Sequence, residues 1–170
     1  FLNAIRDAEK PLIAAVNGPA IGVGLTMLLH CDISFAAESA NLRAPFTQLG
    51  LVPEAGSSLT LPAVVGRSMA NEVLLAGRIL SASEALACGL VSRVTADADL
   101  MKTAMDTARK IAASPPNAVL KSKALINHSR DVISSQMRAE GEIFAAQLQS
   151  AEFAEAAAAF REKRAPVFKD

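Results

Sequence analysis

The sequence predicts an α/β fold, with a mixed strand-and-helix core over residues 1–96 and an all-helical region over residues 97–170. Three observations carry this expectation. Two short apolar runs, residues 12–16 and 32–36, flank a glycine-led apolar segment at residues 21–31. From Asp97 onward apolar residues recur at helical spacing, and alanine is abundant after residue 132. Of 170 residues, 51 % are hydrophobic and 20 % charged, a balance that excludes a disordered or fibrous chain.

Residues 1–10 read as the last turns of a charged helix, stopped at Pro11. Residues 12–16 (LIAAV) are apolar and bounded by Asn17, Gly18 and Pro19, which reads as a buried strand. Residues 21–31 carry Gly22 and Gly24 at the start and apolar side chains afterwards, as a buried helix would. Residues 32–36 alternate and read as a second strand. Strand, helix, strand at this spacing is a βαβ crossover with its helix packed inside the fold.

Residues 38–66 hold three prolines and three glycines among short apolar pieces, so loops around short elements are expected. Residues 68–76 read as a helix closed by Gly77. Ser81 and Glu84 have the spacing of a capping box, opening a short helix that ends at Gly89. Residues 91–95 follow as a short strand. Residues 97–113 are an amphipathic helix, Pro115 and Pro116 punctuate the chain, and residues 117–129 form another helix. Residues 132–170 read as helical, interrupted only by Gly141 and Pro166.

Seventeen basic residues balance 17 acidic ones, so there is no basic excess to displace counterions and nucleic acid is not expected as the main partner. The two cysteines, Cys31 and Cys88, match no metal or redox spacing, and no metal site is expected. They suit a reducing compartment, and with no secretory or peroxisomal signal in view the expected location is cytoplasmic. No apolar run approaches the ~20 residues that span a bilayer, so no membrane partner is expected. The first residue is Phe1 rather than Met, which suggests a chain beginning inside a longer protein.

Two places invite chemistry. Gly18, Gly22 and Gly24 fit neither dinucleotide nor P-loop spacing, and no lysine follows them. A helix whose first turn lacks bulk at Gly22 and Gly24 would offer free N–H groups to an oxyanion or a polarised carbonyl. Spacing alone leaves close packing of helix on sheet as the alternative. Glu54 stands in an apolar stretch, with Arg43 and Arg67 its nearest charged neighbours in sequence. A lone carboxylate in such surroundings has its pKa raised by desolvation and can take and return a proton near neutrality. The alternative is an exposed loop glutamate or an acid at a helix N-terminus. His30 and His128 lack a companion at ligand spacing and read as packed or surface residues.

Residues 10–24 (KPLIAAVNGPAIGVG), then His30, Cys31 and Asp32, then residues 49–53 (LGLVP), then Gly77 and residues 81–91 (SASEALACGLV) together resemble the enoyl-CoA hydratase/isomerase (crotonase) superfamily. Residues 159–164 (AFREKR) resemble its C-terminus as well. The resemblance implies a spiral of ββα turns, its N-terminal part absent from this chain, with a helical C-terminal trimerisation region. It implies a homotrimer or hexamer, an acyl-CoA thioester substrate, and no cofactor beyond the coenzyme A carried by that substrate.

In the family, the thioester carbonyl sits between two backbone N–H groups. One of them maps to Val23 beside Gly22, and the other lies on an upstream segment that this chain lacks. The two glutamates of the hydratases map to Thr26 and Phe46, neither of which can act as acid or base. Glu54 instead takes the place of a family glycine after the loop proline, a pattern similar to the Δ3,Δ2-enoyl-CoA isomerases of the peroxisomal type. There it would be the single base, shifting a 3-enoyl double bond to the 2-position, in fatty acid degradation. Phe46, Leu49, Leu51 and Leu59 are the expected apolar lining. Phe160 and Lys163 map to an aromatic residue and a lysine that approach the CoA nucleotide, often from a neighbouring subunit. Two rivals are a hydratase or acyl-CoA lyase with displaced groups, and a non-catalytic acyl-CoA-binding module.

Overall fold

The structure is a computed structural model and describes residues 1–168. Helix α1 (Leu2–Arg6) leads into β1 (Ile13–Val16), β2 (Pro19–Ile21) and α2 (Val23–Thr26), which runs on into a 3-10 turn (Met27–His30). Next come β3 (Ile33–Ala37), β4 (Asn41–Arg43), a 3-10 turn (Thr47–Leu49), α3 (Ser57–Val65) and α4 (Arg67–Leu74). The third winding is β5 (Leu80–Ser81), α5 (Ala82–Ala87) and β6 (Arg93–Thr95). The helical region holds α6 (Leu100–Ala112), α7 (Pro116–Ile126), α8 (Arg130–Gln147) and α9 (Ala151–Glu162).

Each winding gives one strand to each of two sheets. One sheet has the order β1-β3-β6 and is parallel throughout; the other has the order β2-β4-β5, with β2 parallel and β5 antiparallel to β4. Strands of three residues cannot hold a sheet alone, so this spiral depends on the core that it encloses. Leu25, Leu42, Leu61, Val73, Leu80 and Val91 are buried there. The period of two along β3 divides its side chains: Ala36 faces that core, while Phe35 and Ala37 meet Leu100 and Ala104 of α6 on the other face. Lys123 of α7 anchors the helical region further, donating from Nζ to Lys10 O and to Asp32 Oδ2, each at 2.7 Å.

Several expectations are corrected. Strand β1 lies at the edge of its sheet and is half-buried rather than buried. The segment expected as one helix at residues 21–31 divides into α2 and a tighter 3-10 turn. Strands β2 and β4 and the nine-residue helix α3 lie within what read as turn and loop. Pro62 sits inside α3, where it removes an internal hydrogen bond, and packing against α4 and α8 offsets that loss. Gly141 does not interrupt α8; the chain breaks at residues 148–150, where Ser150 accepts from Phe153 N and caps α9. Helix α9 ends at Glu162, before Pro166, and the helix expected at residues 169–170 lies outside the described residues.

Candidate active site

Gly22, the N-cap of α2, takes a φ of 56°, which a side chain would resist, and its N–H donates to Arg43 O at 2.8 Å. This fixes where α2 begins. Val23 is the first helical residue, so its N–H has no acceptor inside the helix and lies at the positive end of the helix dipole. One turn on, Thr26 is fully buried and its hydroxyl donates to Oε1 of Glu54.

Glu54 precedes a left-handed pair, Ala55 (φ 59°) and Gly56 (φ 73°), that turns the chain into α3. A positive φ at alanine is strained and persists only where surrounding bonds hold it. Here they do: Ser57 N donates to Glu54 O at 3.0 Å, and His30 Nε2–H donates to Ala55 O at 2.7 Å. Because a carbonyl only accepts, His30 carries its proton on Nε2. Burial pushes the His30 pKa down, against the raising effect of that bond. Burial also raises the Glu54 pKa, opposed by the Thr26 hydrogen bond and assisted by the negative charge of Glu140.

Glu54, Val23 and Phe46 share the wall of one cavity of about 410 Å³, with Leu2, Ala55, Met137, Gly141 and Phe144. The wall is mostly apolar, which disfavours the charged form of a carboxyl within it, and Val23 at the start of α2 lies on the same wall. Among the described residues, no group of three His, Cys, Asp or Glu side chains is placed to hold a metal ion.

Other expected residues lie elsewhere. Leu51 is buried in the main core and Leu49 packs against that core, and neither forms part of the cavity wall. Leu59, also expected as lining, points outward and is 38 % exposed, because it sits on the solvent side of α3. Phe160 is 81 % exposed on α9 and Lys163 is its exposed C-cap, both outside the cavity. Sequence reasoning missed Leu2, Ala55 and the α8 residues Met137, Gly141 and Phe144. The spacing of 137, 141 and 144 marks one helix face, but nothing local says that this face meets Glu54.

Two sheets that share each winding of the chain, with a helix start beside a half-buried carboxyl, define the crotonase class of fold. The enoyl-CoA hydratase/isomerase family profile matches residues 1–170. The chain belongs to that family. It is 36 % identical over 173 residues to a carnitinyl-CoA dehydratase of Salmonella typhi, covering 99 % of this chain and 66 % of that protein. A crystal structure of an enoyl-CoA hydratase/isomerase from Pseudoalteromonas atlantica T6c superimposes with a TM-score of 0.98 at 56 % identity, over 99 % of this chain and 68 % of that one. An enoyl-CoA hydratase from Mycobacterium avium subsp. paratuberculosis K-10 gives 0.93 at 34 % identity, over 99 % and 69 %. The chain spans 65 to 66 % of the length of the curated relatives it matches first. Among the described residues, no helix is long and apolar enough to cross a membrane.

Proposed function

We propose that the protein is an acyl-CoA-dependent isomerase that moves a 3-enoyl-CoA double bond to the 2-position, with Glu54 as its single proton shuttle. The carrying observation is a half-buried carboxyl, its pKa raised by desolvation, in the same apolar cavity as Val23, the first residue of α2. Ionised Glu54 takes a proton from C2. The C–H electrons form a C1–C2 double bond and push the carbonyl electrons onto the thioester oxygen, giving a dienolate that keeps its 3,4-double bond. The protonated carboxyl then delivers the same proton to C4, so that one base on one face serves both steps. As C4 is protonated by the 3,4-electrons, the carbonyl reforms and the C1–C2 electrons become the C2–C3 double bond. The Val23 N–H is one donor to the oxyanion; such donors are worth about 2.7–4 kcal/mol each when removed from other enzymes.

Thr26 and Phe46, at the places of the hydratase glutamates, supply no second acid or base, which favours isomerisation over hydration. Phe160 and Lys163 hold the CoA nucleotide in this reading, reached from a neighbouring subunit of a homotrimer or hexamer. Conversion of a 3-enoyl-CoA by the full-length protein is expected as a rise in thioester conjugation absorbance, lost in Glu54→Gln; an unaffected variant would overturn the assignment.

The relative named carnitinyl-CoA dehydratase favours a second reading, hydration or dehydration. Incubating a 2-enoyl-CoA in isotopic water separates the two, since a labelled 3-hydroxy product forms only in the second.

A further inference from the structure

Glu140 is a carboxylate that the proposed chemistry does not use, and it is 4 % exposed in the middle of α8. Its Oε2 accepts from Gly56 N at 2.5 Å, and its Oε1 accepts from Ser58 N at 2.9 Å and Ser58 Oγ at 2.5 Å. Gln136, one turn earlier, donates from Nε2 to the same Ser58 Oγ at 2.8 Å. A carboxylate stripped of water is retained at a cost, and three convergent donors satisfy it. All three donors belong to the two residues that flank Ser57, directly after the strained Glu54–Ala55 turn.

We propose, resting on the isomerase reading, that Glu140 is the positioning residue that holds the Glu54 carboxyl in register with the cavity. Glu140 pins the chain after Glu54 from α8, while His30 holds the Ala55 carbonyl from the turn after α2. The backbone that carries the base is thus gripped from two sides. The same stretch of α8 supplies Met137, Gly141 and Phe144 to the cavity wall. One helix therefore sets both the wall and the loop that aims the base, and reacting atoms must be held within a fraction of an ångström for proton transfer.

Three charged or titratable groups bear on the loop: Glu140 from α8, His30 from the turn after α2, and Arg6 of α1, whose charge acts on His30. Of these, Glu140 acts directly on Glu54, favouring its protonated form. Removing the Glu140 charge therefore makes Glu54 a stronger acid as well as freeing its loop.

The test is Glu140→Gln in the full-length protein. The expected result is a fall in kcat of about tenfold to a hundredfold with KM within about twofold, as for a displaced base rather than lost binding. The acid limb of the pH–rate profile should move to lower pH, because a negative charge that raises the Glu54 pKa is removed. A folded variant with unchanged kcat and unchanged acid limb overturns the proposal. A carbon-13 NMR titration of the Glu54 carboxyl needs no turnover and separates the two readings. If the natural protein fails to isomerise a 3-enoyl-CoA, the isomerase reading falls; a Glu54 carboxyl resonance displaced in Glu140→Gln at a pH low enough to protonate it in both proteins still supports the positioning role, and an unchanged one removes it. Should Glu140→Gln not fold, Ser58→Ala removes one donor to Oε1 and should give a smaller fall in kcat. Unchanged kcat and Glu54 titration in that variant overturn the proposal.

Discussion

The Thr26 hydroxyl donates to Oε1 of Glu54, joining the first turn of α2 to the loop before α3. The bond favours the ionised carboxylate, whereas burial favours the acid, and burial prevails. Thr26 thereby acts as a brake on the upward shift of the Glu54 pKa.

Thr26→Val keeps the shape of the side chain and removes that donor. The Glu54 pKa should rise further, and because the base must be ionised to act, the acid limb of kcat/KM should move to higher pH. A pH–rate profile of the two proteins checks the direction, which is opposite to that expected for Glu140→Gln.

Glu54→Gln should stabilise the protein while removing its activity. A carboxyl whose native pKa lies above its unfolded value contributes stability below the unfolded value and loses it as pH rises through the native one. Above the native pKa the ionised side chain is a net cost, and the substitution lifts it. Urea denaturation should find the variant more stable at neutral pH, with the gap closing as pH falls toward the ordinary value of 4.5.

Gly50→Ala should destabilise the fold by more than the roughly 1–2 kcal/mol of a left-handed alanine. Gly50 has a φ of 66°, and an added Cβ would stand 2.8 Å from the backbone of Glu152 and Phe153. Backbone cannot swing aside, so α9 would have to lift from the turn that ends at Leu49. A lowered denaturation midpoint checks the result.

Glu84 lies in the capping box of α5, where its carboxylate accepts from Ser81 N at 2.8 Å and from Arg78 at 2.7 Å. The Ser81 backbone bond, followed by the Arg78 guanidinium, holds its pKa down at about 2. With the native value depressed, its contribution is present above the ordinary 4.5 and lost as pH falls toward 2. Glu84→Gln should therefore be less stable than the natural protein near neutrality, with the difference vanishing as pH falls through about 2. Thermal melts across that range, with an NMR titration of Glu84, check both statements.

Where a signal was local, the sequence was enough. The Ser81 and Glu84 spacing opens α5 with both reciprocal bonds in place, and the apolar runs beginning at residues 12 and 32 became parallel neighbours β1 and β3. The amphipathic pattern after Asp97 became α6. Strands β2 and β4 were not legible, because three residues beginning at Pro19 or Asn41 carry no periodicity and exist only through pairing, β2 with β4 and β4 with both β2 and β5. Helix α3 was hidden by Pro62, which argues against a helix until α4 and α8 close around it.

The site divides in the same way. An isolated glutamate in an apolar stretch and a helix start free of side-chain bulk can be read along the chain, since both are properties of neighbouring residues. That Glu54 and Val23 share a cavity, that Thr26 meets the carboxyl, and that Glu140 grips the loop from 84 residues away are decided by the winding of the spiral and the return of α8. Residue type and local spacing set what each segment can form and which groups can move a proton. Long-range packing alone decides which of those groups stand close enough, and dry enough, to act together.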